Sequence, residues 1–204
     1  MLIKVQDLKR KNFLDTLQIQ ESLRNKVLKN NTDNYLILVE HDHVYTLGKN
    51  ANSNNILNST CEIIQTQRGG DVTYHGPGQL VAYPIINLKK KKIGVKNYIS
   101  MIEKLISNIL IDYNLEPQIL KEETGVWVQD KKIASIGIHV TRGVTMHGLA
   151  INVNTDLSYF DNIISCGIQG VKMTSLDKEL GKKIRMNDIK KSLITHFNQI
   201  FEKL

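Results

Sequence analysis

The run I-I-S-C-G-I-Q-G-V-K-M-T-S-L, Ile163 to Leu176, sets a cysteine against a glycine among small and polar residues. Cys166 therefore reads as carried on a loop and open to a reaction partner. A thiol becomes a nucleophile when a cation stabilises its thiolate or a base takes its proton. Lys132, His75 and His147 are the candidates for that role. The plainer alternative is a small hydrophobe, the usual state of a free cysteine. The other cysteine, Cys61 in S-T-C-E-I-I-Q, stands at the start of a strand-like run and lacks such a setting.

A second stretch able to do chemistry is R-G-G-D-V-T-Y-H-G-P-G-Q, Arg68 to Gln79. Its glycine density suggests a phosphate cradle, but its spacing fits neither G-x-x-x-x-G-K-[ST] nor G-x-G-x-x-G. A strand follows it, so no helix N-terminus stands ready for a phosphate. Gly69-Gly70 and Gly76-Pro77-Gly78 read as two turns around a strand-like D-V-T-Y-H. Glycine lets backbone come close to a ligand. The stretch therefore suits a ligand lying along the chain, an acyl group or an extended peptide, with a plain pair of β-turns as the alternative. His41 and His43, two apart, would share one strand face, but two histidines without a third ligand are a weak zinc pattern. No metal and no cofactor is expected.

These residues need a scaffold. Phe13 to Leu28 carries apolar residues at four-residue steps and predicts an amphipathic helix. Y-L-I-L-V-E (Tyr35–Glu40) and H-V-Y-T-L-G (His43–Gly48) predict short strands, and K-N-A-N-S-N-N-I-L-N-S-T a loop. Q-L-V-A-Y-P-I-I-N-L (Gln79–Leu88) predicts a buried strand, which Pro84 places at an edge or at a bulge. The lysine run after it, Leu88–Gly94, reads as a solvated loop. Val95–Tyr113 predicts a core-facing helix. Gly125–Val140 predicts a hairpin turning near Asp130–Lys131, and Val144–Leu157 a further strand. A last helix begins near Asn187, with Asn187 or Asp188 as its cap. Strands in the middle with helices around them, without βαβ alternation, predict an α+β fold on a mixed, largely antiparallel sheet. No repeat or linker divides residues 1–204, so a single domain is expected.

Composition narrows the function classes. The 204 residues are 41% hydrophobic and 23% charged, with three prolines, enough for a sizeable core. The start carries charge from Lys4 onward without an apolar run, so no signal peptide is expected. No apolar run approaches the roughly 18 residues of a membrane span. Two cysteines are too few for a disulfide framework, which points to a reducing cytoplasm. The formal net charge of +7 favours acidic partners. Nucleic acid is not expected, because the aromatics lie mostly in apolar runs rather than along a basic stripe.

Taken in order, E-H-D-H-V-Y-T-L-G (Glu40–Gly48), Arg68–Ile85, K-I-A-S-I-G-I-H-V (Lys132–Val140), H-G-L-A-I-N-V-N-T-D-L (His147–Leu157) and C-G-I followed by T-S-L (Cys166–Leu176) resemble the octanoyltransferases of lipoate biosynthesis. The resemblance implies the α+β fold shared with biotin and lipoate protein ligases. It implies transfer of an octanoyl group from acyl carrier protein, through a cysteine thioester, to a lysine of lipoyl domains. Those domains belong to 2-oxoacid dehydrogenase complexes and to the glycine-cleavage carrier, the H protein. Cys166 matches the family nucleophile and Lys132, not Lys131, its dyad partner. The substrate-contacting segments fall on Arg68, Gly69, Gly70, Asp71, Val72, Thr73, Tyr74 and His75, on Ser135, Ile136 and Gly137, and on Gly148, Leu149 and Ala150. Backbone N–H groups of the last two segments are candidates for an oxyanion hole. Ser165 stands where the family often has proline, and Asp42 and His43 where it often has prolines. Two readings stand beside this one: an ATP-using ligase of the same fold, and a catalytically silent basic module that docks acidic partners.

Overall fold

The computed structural model describes residues 3–30 and 33–201. Strand β1 (Ile3–Arg10) pairs parallel with β2 (Asn34–Glu40), and helix α1 (Phe13–Asn30) connects them. The chain then builds a small sheet from β3 (Val44–Leu47), β4 (Glu62–Gln65) and β5 (Thr73–His75), ordered β4-β3-β5. It returns as β6 (Gln79–Ile85), then forms a one-turn helix α2 (Leu88–Lys91) and the long α3 (Val95–Asp112). Strands β7 (Pro117–Gln118), β8 (Gly125–Val128), β9 (Lys131–Thr141), β10 (Val144–Asn152) and β11 (Lys172–Met173) follow. Helices α4 (Leu176–Leu180) and α5 (Met186–Phe201) end the described chain. The main sheet runs β1-β2-β6-β10-β9-β8-β7, with β11 against β9. Only β1–β2 and β11–β9 are parallel in it, so the expected mixed, largely antiparallel sheet is present.

Alternation along the strands sorts the core into two layers. Leu36, Leu38, Leu80 and Ala82 pack with α3 and α5 on one face. Tyr35, Ile37, Val39, Val81, Tyr83 and Ile85 point the other way and meet Leu23 and Val27 of α1. A strand buried on both faces reads as a continuous apolar run, which is why Y-L-I-L-V carries no visible alternation. No described helix is long and apolar enough to cross a membrane.

Several expectations change. Strand β6 is central, between β2 and β10, not at an edge. Pro84 is accommodated because the ladder to β10 stops at the pair Ala82–Leu149, so its missing N–H falls where no rung exists. There β10 turns aside at His147, which has φ 56 and gives its N–H to Gln20 Oε1 at 2.8 Å. The lysine run after Leu88 is helical, because Asn87 Oδ1 accepts the Lys90 N–H and buried Leu88 anchors the turn. Helix α5 begins at Met186, which puts Asn187 and Asp188 inside its first turn. The hairpin turn is Gln129–Asp130, closed by the pair Val128–Lys131. His41 and His43 lie in the connection between β2 and β3, not on a strand. Strand β1 has no counterpart among the expected elements, since alternate charges hide its partial burial.

Candidate active site

Strand β9 outruns β10, and that overhang places Lys132. Strand β10 pairs with β9 only as far as Ala134–Ile151. Beyond it β11 takes the vacated position, with Met173 opposite Lys132, while Trp127 of β8 flanks the other side. Thr174 N–H donates to the Lys132 carbonyl at 2.9 Å and fixes the backbone. The side chain is 1% exposed and its Nζ lies 4.8 Å from the centre of the Trp127 ring. Among the described residues no carboxylate pairs with it. Its neighbour Lys131 points the other way and bonds Glu179 at 2.9 Å. Gly125 makes room for the amine, since a Cβ there would stand 2.7 Å from Lys132 Cε.

Cys166 sits on a tight turn, Ser165–Gly167, at φ 59 and ψ 14. Left-handed backbone is costly for a cysteine and is typical of sites where neighbours over-determine one residue. Here the restraints are the Cys166 N–H on the Val72 carbonyl at 2.8 Å and Ile164 N–H on the Asn55 carbonyl at 2.8 Å. The thiol is half-buried, and Lys132 Nζ donates to Cys166 Sγ at 3.3 Å. Chemically, such a pair can exchange a proton.

The thiol opens on a cavity of about 290 Å³. Arg68, Gly69, Gly70, Asp71, Thr73 and His75 line it, as do Ser135, Ile136 and Gly137 of β9 and Gly148, Leu149 and Ala150 of β10. Val72 and Tyr74 do not. Strand alternation turns them into a satellite core with Tyr45, Phe160 and Ile163, and the Tyr74 hydroxyl meets His43 Nδ1 at 2.7 Å. The glycines of the R-G-G stretch are also used differently from each other. Gly70 lines the cavity, whereas Gly76 is required by packing, because a Cβ there would overlap the Tyr74 hydroxyl. The segments at Ser135–Gly137 and Gly148–Ala150 are direct cross-strand neighbours, so the ladder consumes part of their N–H groups.

Arg68 is a buried guanidinium held by neutral acceptors, the Thr46 carbonyl and hydroxyl and the Gly69 carbonyl. Burial lowers its pKa, and Cys166 is the largest influence opposing that shift. Burial also drives His75 and His147 down to about 3. Both are neutral at pH 7, so neither supplies a cation to the thiol, and Lys132 alone of the three candidates bonds it. The cavity also uses Val81, Tyr83 and Ile138, which lie within the family-like motifs but outside the expected contact segments, and Phe13 and the Glu122–Thr124 segment, which lie in no motif. Among the described residues no cluster of three or more His, Cys, Asp or Glu is placed to hold a metal ion.

The fold is that of the lipoate and biotin protein ligases. A lipoate-protein ligase A bound with ATP superposes with a TM-score of 0.81 at 15% identity, covering 99% of this chain and 86% of the other. Biotin protein ligase from Aquifex aeolicus gives 0.58 at 15% identity, covering 100% and 71%. The lipoyl protein ligase A/B catalytic domain family matches residues 12–198. An octanoyltransferase from Flavobacterium psychrophilum is 40% identical, over 98% of this chain and 97% of that one. The chain belongs to the octanoyltransferase family and is an acyltransferase.

Proposed function

We propose that the whole chain, as one cytoplasmic domain, moves an octanoyl group from an acyl carrier protein to a lysine of a lipoyl domain, by way of a thioester on Cys166. The observation that carries this reading is the 3.3 Å contact between Lys132 Nζ and Cys166 Sγ at one end of the cavity. In the first step the sulfur attacks the donor carbonyl. The carrier's C–S bond breaks, and the carrier leaves as a thiol with the proton that Cys166 gave up. In the second, the acceptor amine attacks the Cys166 thioester. A C–N bond forms, the C–S bond breaks, and the amine proton passes through Lys132 to the departing sulfur. Lys132 supports the first step as an ammonium beside thiolate and the second as an amine that takes a proton.

Val81, Ile136, Ile138, Leu149 and Ala150 give the cavity apolar walls. Burying the chain contributes about 0.8 kcal/mol per methylene, several kcal/mol in all. The acceptors in this reading are lipoyl domains of 2-oxoacid dehydrogenases and the glycine-cleavage H protein. The net charge of +7 suits an acidic carrier. Intact-protein mass spectrometry after mixing with octanoyl carrier protein tests the mechanism. One octanoyl mass is expected on the native chain and none on Cys166→Ser. Full transfer by Cys166→Ser would remove the covalent route. Octanoate with ATP and no carrier gives no product here, whereas a ligase would use it.

A further inference from the structure

The end of the cavity away from the thiol sets polar groups among apolar ones, with Phe13 stacked on His75 at 6.2 Å, and its hydrogen-bonding capacity follows from the bonds around it. Gly148 and His147 lie opposite Gly137 and Ile138. The Lys132 side chain reaches along β9 to the level of Ser135, since its Cε lies 2.7 Å from where a Cβ on Gly125 would sit and Gly125 pairs with Ser135. From there the two pairs are two and three residues on, about 7–10 Å of strand, within reach of an octanoyl-length chain. Tyr83 follows Ala82, the residue paired with Leu149, and so stands at the same level. His41 Nδ1 faces the Lys11 carbonyl at 2.8 Å, and a carbonyl only accepts, so Nδ1 carries the proton. Nε2 is then bare and accepts the Tyr83 hydroxyl proton at 2.8 Å. Tyr83 therefore turns only lone pairs toward the cavity it lines.

His75 is fixed by its partners in the same way. Gln79 Nε2 donates to the Tyr74 carbonyl and to Asn152 Oδ1, so Gln79 Oε1 must accept from His75 Nδ1 at 2.7 Å. His75 Nε2 is left as a lone pair with no hydrogen-bond partner among the described residues. His147 makes no side-chain hydrogen bond among them either, and its neutral ring carries one N–H and one lone pair. His41 connects His75 to Tyr83, which in turn neighbours His147. His41 lies 5.9 Å from His75 and 5.8 Å from Tyr83, and Tyr83 lies 6.4 Å from His147, ring centre to ring centre. Two acceptors beside a ring that both donates and accepts complement one hydroxyl group.

We propose that this end of the cavity is a hydroxyl-recognition subsite, and that the protein also transfers acyl groups bearing a hydroxyl at the end remote from the thioester. The inference rests on the cavity being the acyl site. Bond changes at the thioester are those of octanoyl transfer. The donor C–S bond breaks, the C–N bond to the acceptor lysine forms, and the amine proton goes to the leaving thiol. The hydroxyl end takes no part in the reaction.

The test compares octanoyl carrier protein with a carrier bearing heptanoyl that ends in a hydroxyl, the same heavy-atom length. Loading on Cys166 and transfer are followed by intact mass and by kcat/KM. The hydroxyl isostere is expected within about fivefold of octanoyl, whereas an apolar wall rejects a buried unpartnered hydroxyl by roughly 10- to 100-fold. Tyr83→Phe removes one acceptor and is expected to lower the isostere-to-octanoyl ratio about tenfold, whatever it does to octanoyl alone. Rejection of the isostere by the native chain, with octanoyl loading normally, overturns the subsite and leaves its polar groups to water. So does a ratio unchanged in Tyr83→Phe. Failure of octanoyl itself to load would instead overturn the acyl-cavity reading.

Discussion

Lys132 is buried, free of any described carboxylate, and directed at one sulfur. A lysine can both hold and release a proton, while arginine at that position keeps its charge at every working pH. Lys132→Arg is therefore expected to retain part of the Cys166 acylation but to slow aminolysis by about 100-fold. Single-turnover transfer from pre-acylated enzyme to a lipoyl domain measures this, and equal losses in both steps would contradict the two-stage role. Cysteine and lysine were legible in the sequence as residue types within motifs. Their contact was not, because they lie 34 residues apart and meet only through the overhang of β9. His75 and His147 looked equally fit for the thiol until burial removed their charge.

At the scale of elements, the site depends on strand ends. Gly125, at the start of β8, has φ 144 and leaves space for Lys132 Cε and the Ala134 carbonyl, each 2.7 Å from where a Cβ would sit. Gly125→Ala strains the backbone by about 1–3 kcal/mol. It also pushes the amine off the sulfur, so a 10-fold or greater fall in Cys166 alkylation rate is expected alongside a lower melting temperature. Loss of stability with an unchanged alkylation rate would mean that Gly125 serves β8 alone. Helices α1, α3 and α5 were legible because one face of each is apolar at helical spacing. Strand β6 was left open between an edge and a bulge, because Pro84 says only that a rung is missing and not which neighbour lacks it.

Over the whole molecule, three buried histidines make the fold acid-sensitive. His41 is depressed from 6.5 to about 4, and His75 and His147 to about 3, chiefly by burial. Below 6.5 the unfolded chain binds protons that the folded chain refuses. Stability is thus full above pH 6.5 and falls on acidification toward the folded values. At pH 5 each histidine costs about 2 kcal/mol relative to pH 7. Urea midpoints should drop steeply between pH 7 and 5, and a flat profile would contradict the burial.

Charge is distributed with a similar consequence. The Lys89–Lys92 run packs beside the Gly143 turn, with Leu88 N–H on the Gly143 carbonyl at 2.8 Å. That is the end of β9 opposite Lys132, about 30 Å of strand away. Reversing Lys89 and Lys92 to glutamate is expected to change kcat/KM for the carrier by less than threefold. A larger, salt-sensitive loss would place carrier docking at this end.

Periodicity and residue chemistry are local properties, so the α+β class and most of the long elements were legible in the chain, and Cys166 was legible as a candidate nucleophile beside three candidate partners, Lys132, His75 and His147. Packing between remote segments put β11 in place of β10 beside Lys132, turned Val72 and Tyr74 away from the cavity, and built its far end from α1, β5, β6 and β10. Those outcomes depend on register and on which neighbour accepts each proton, and both are settled between segments remote in the chain.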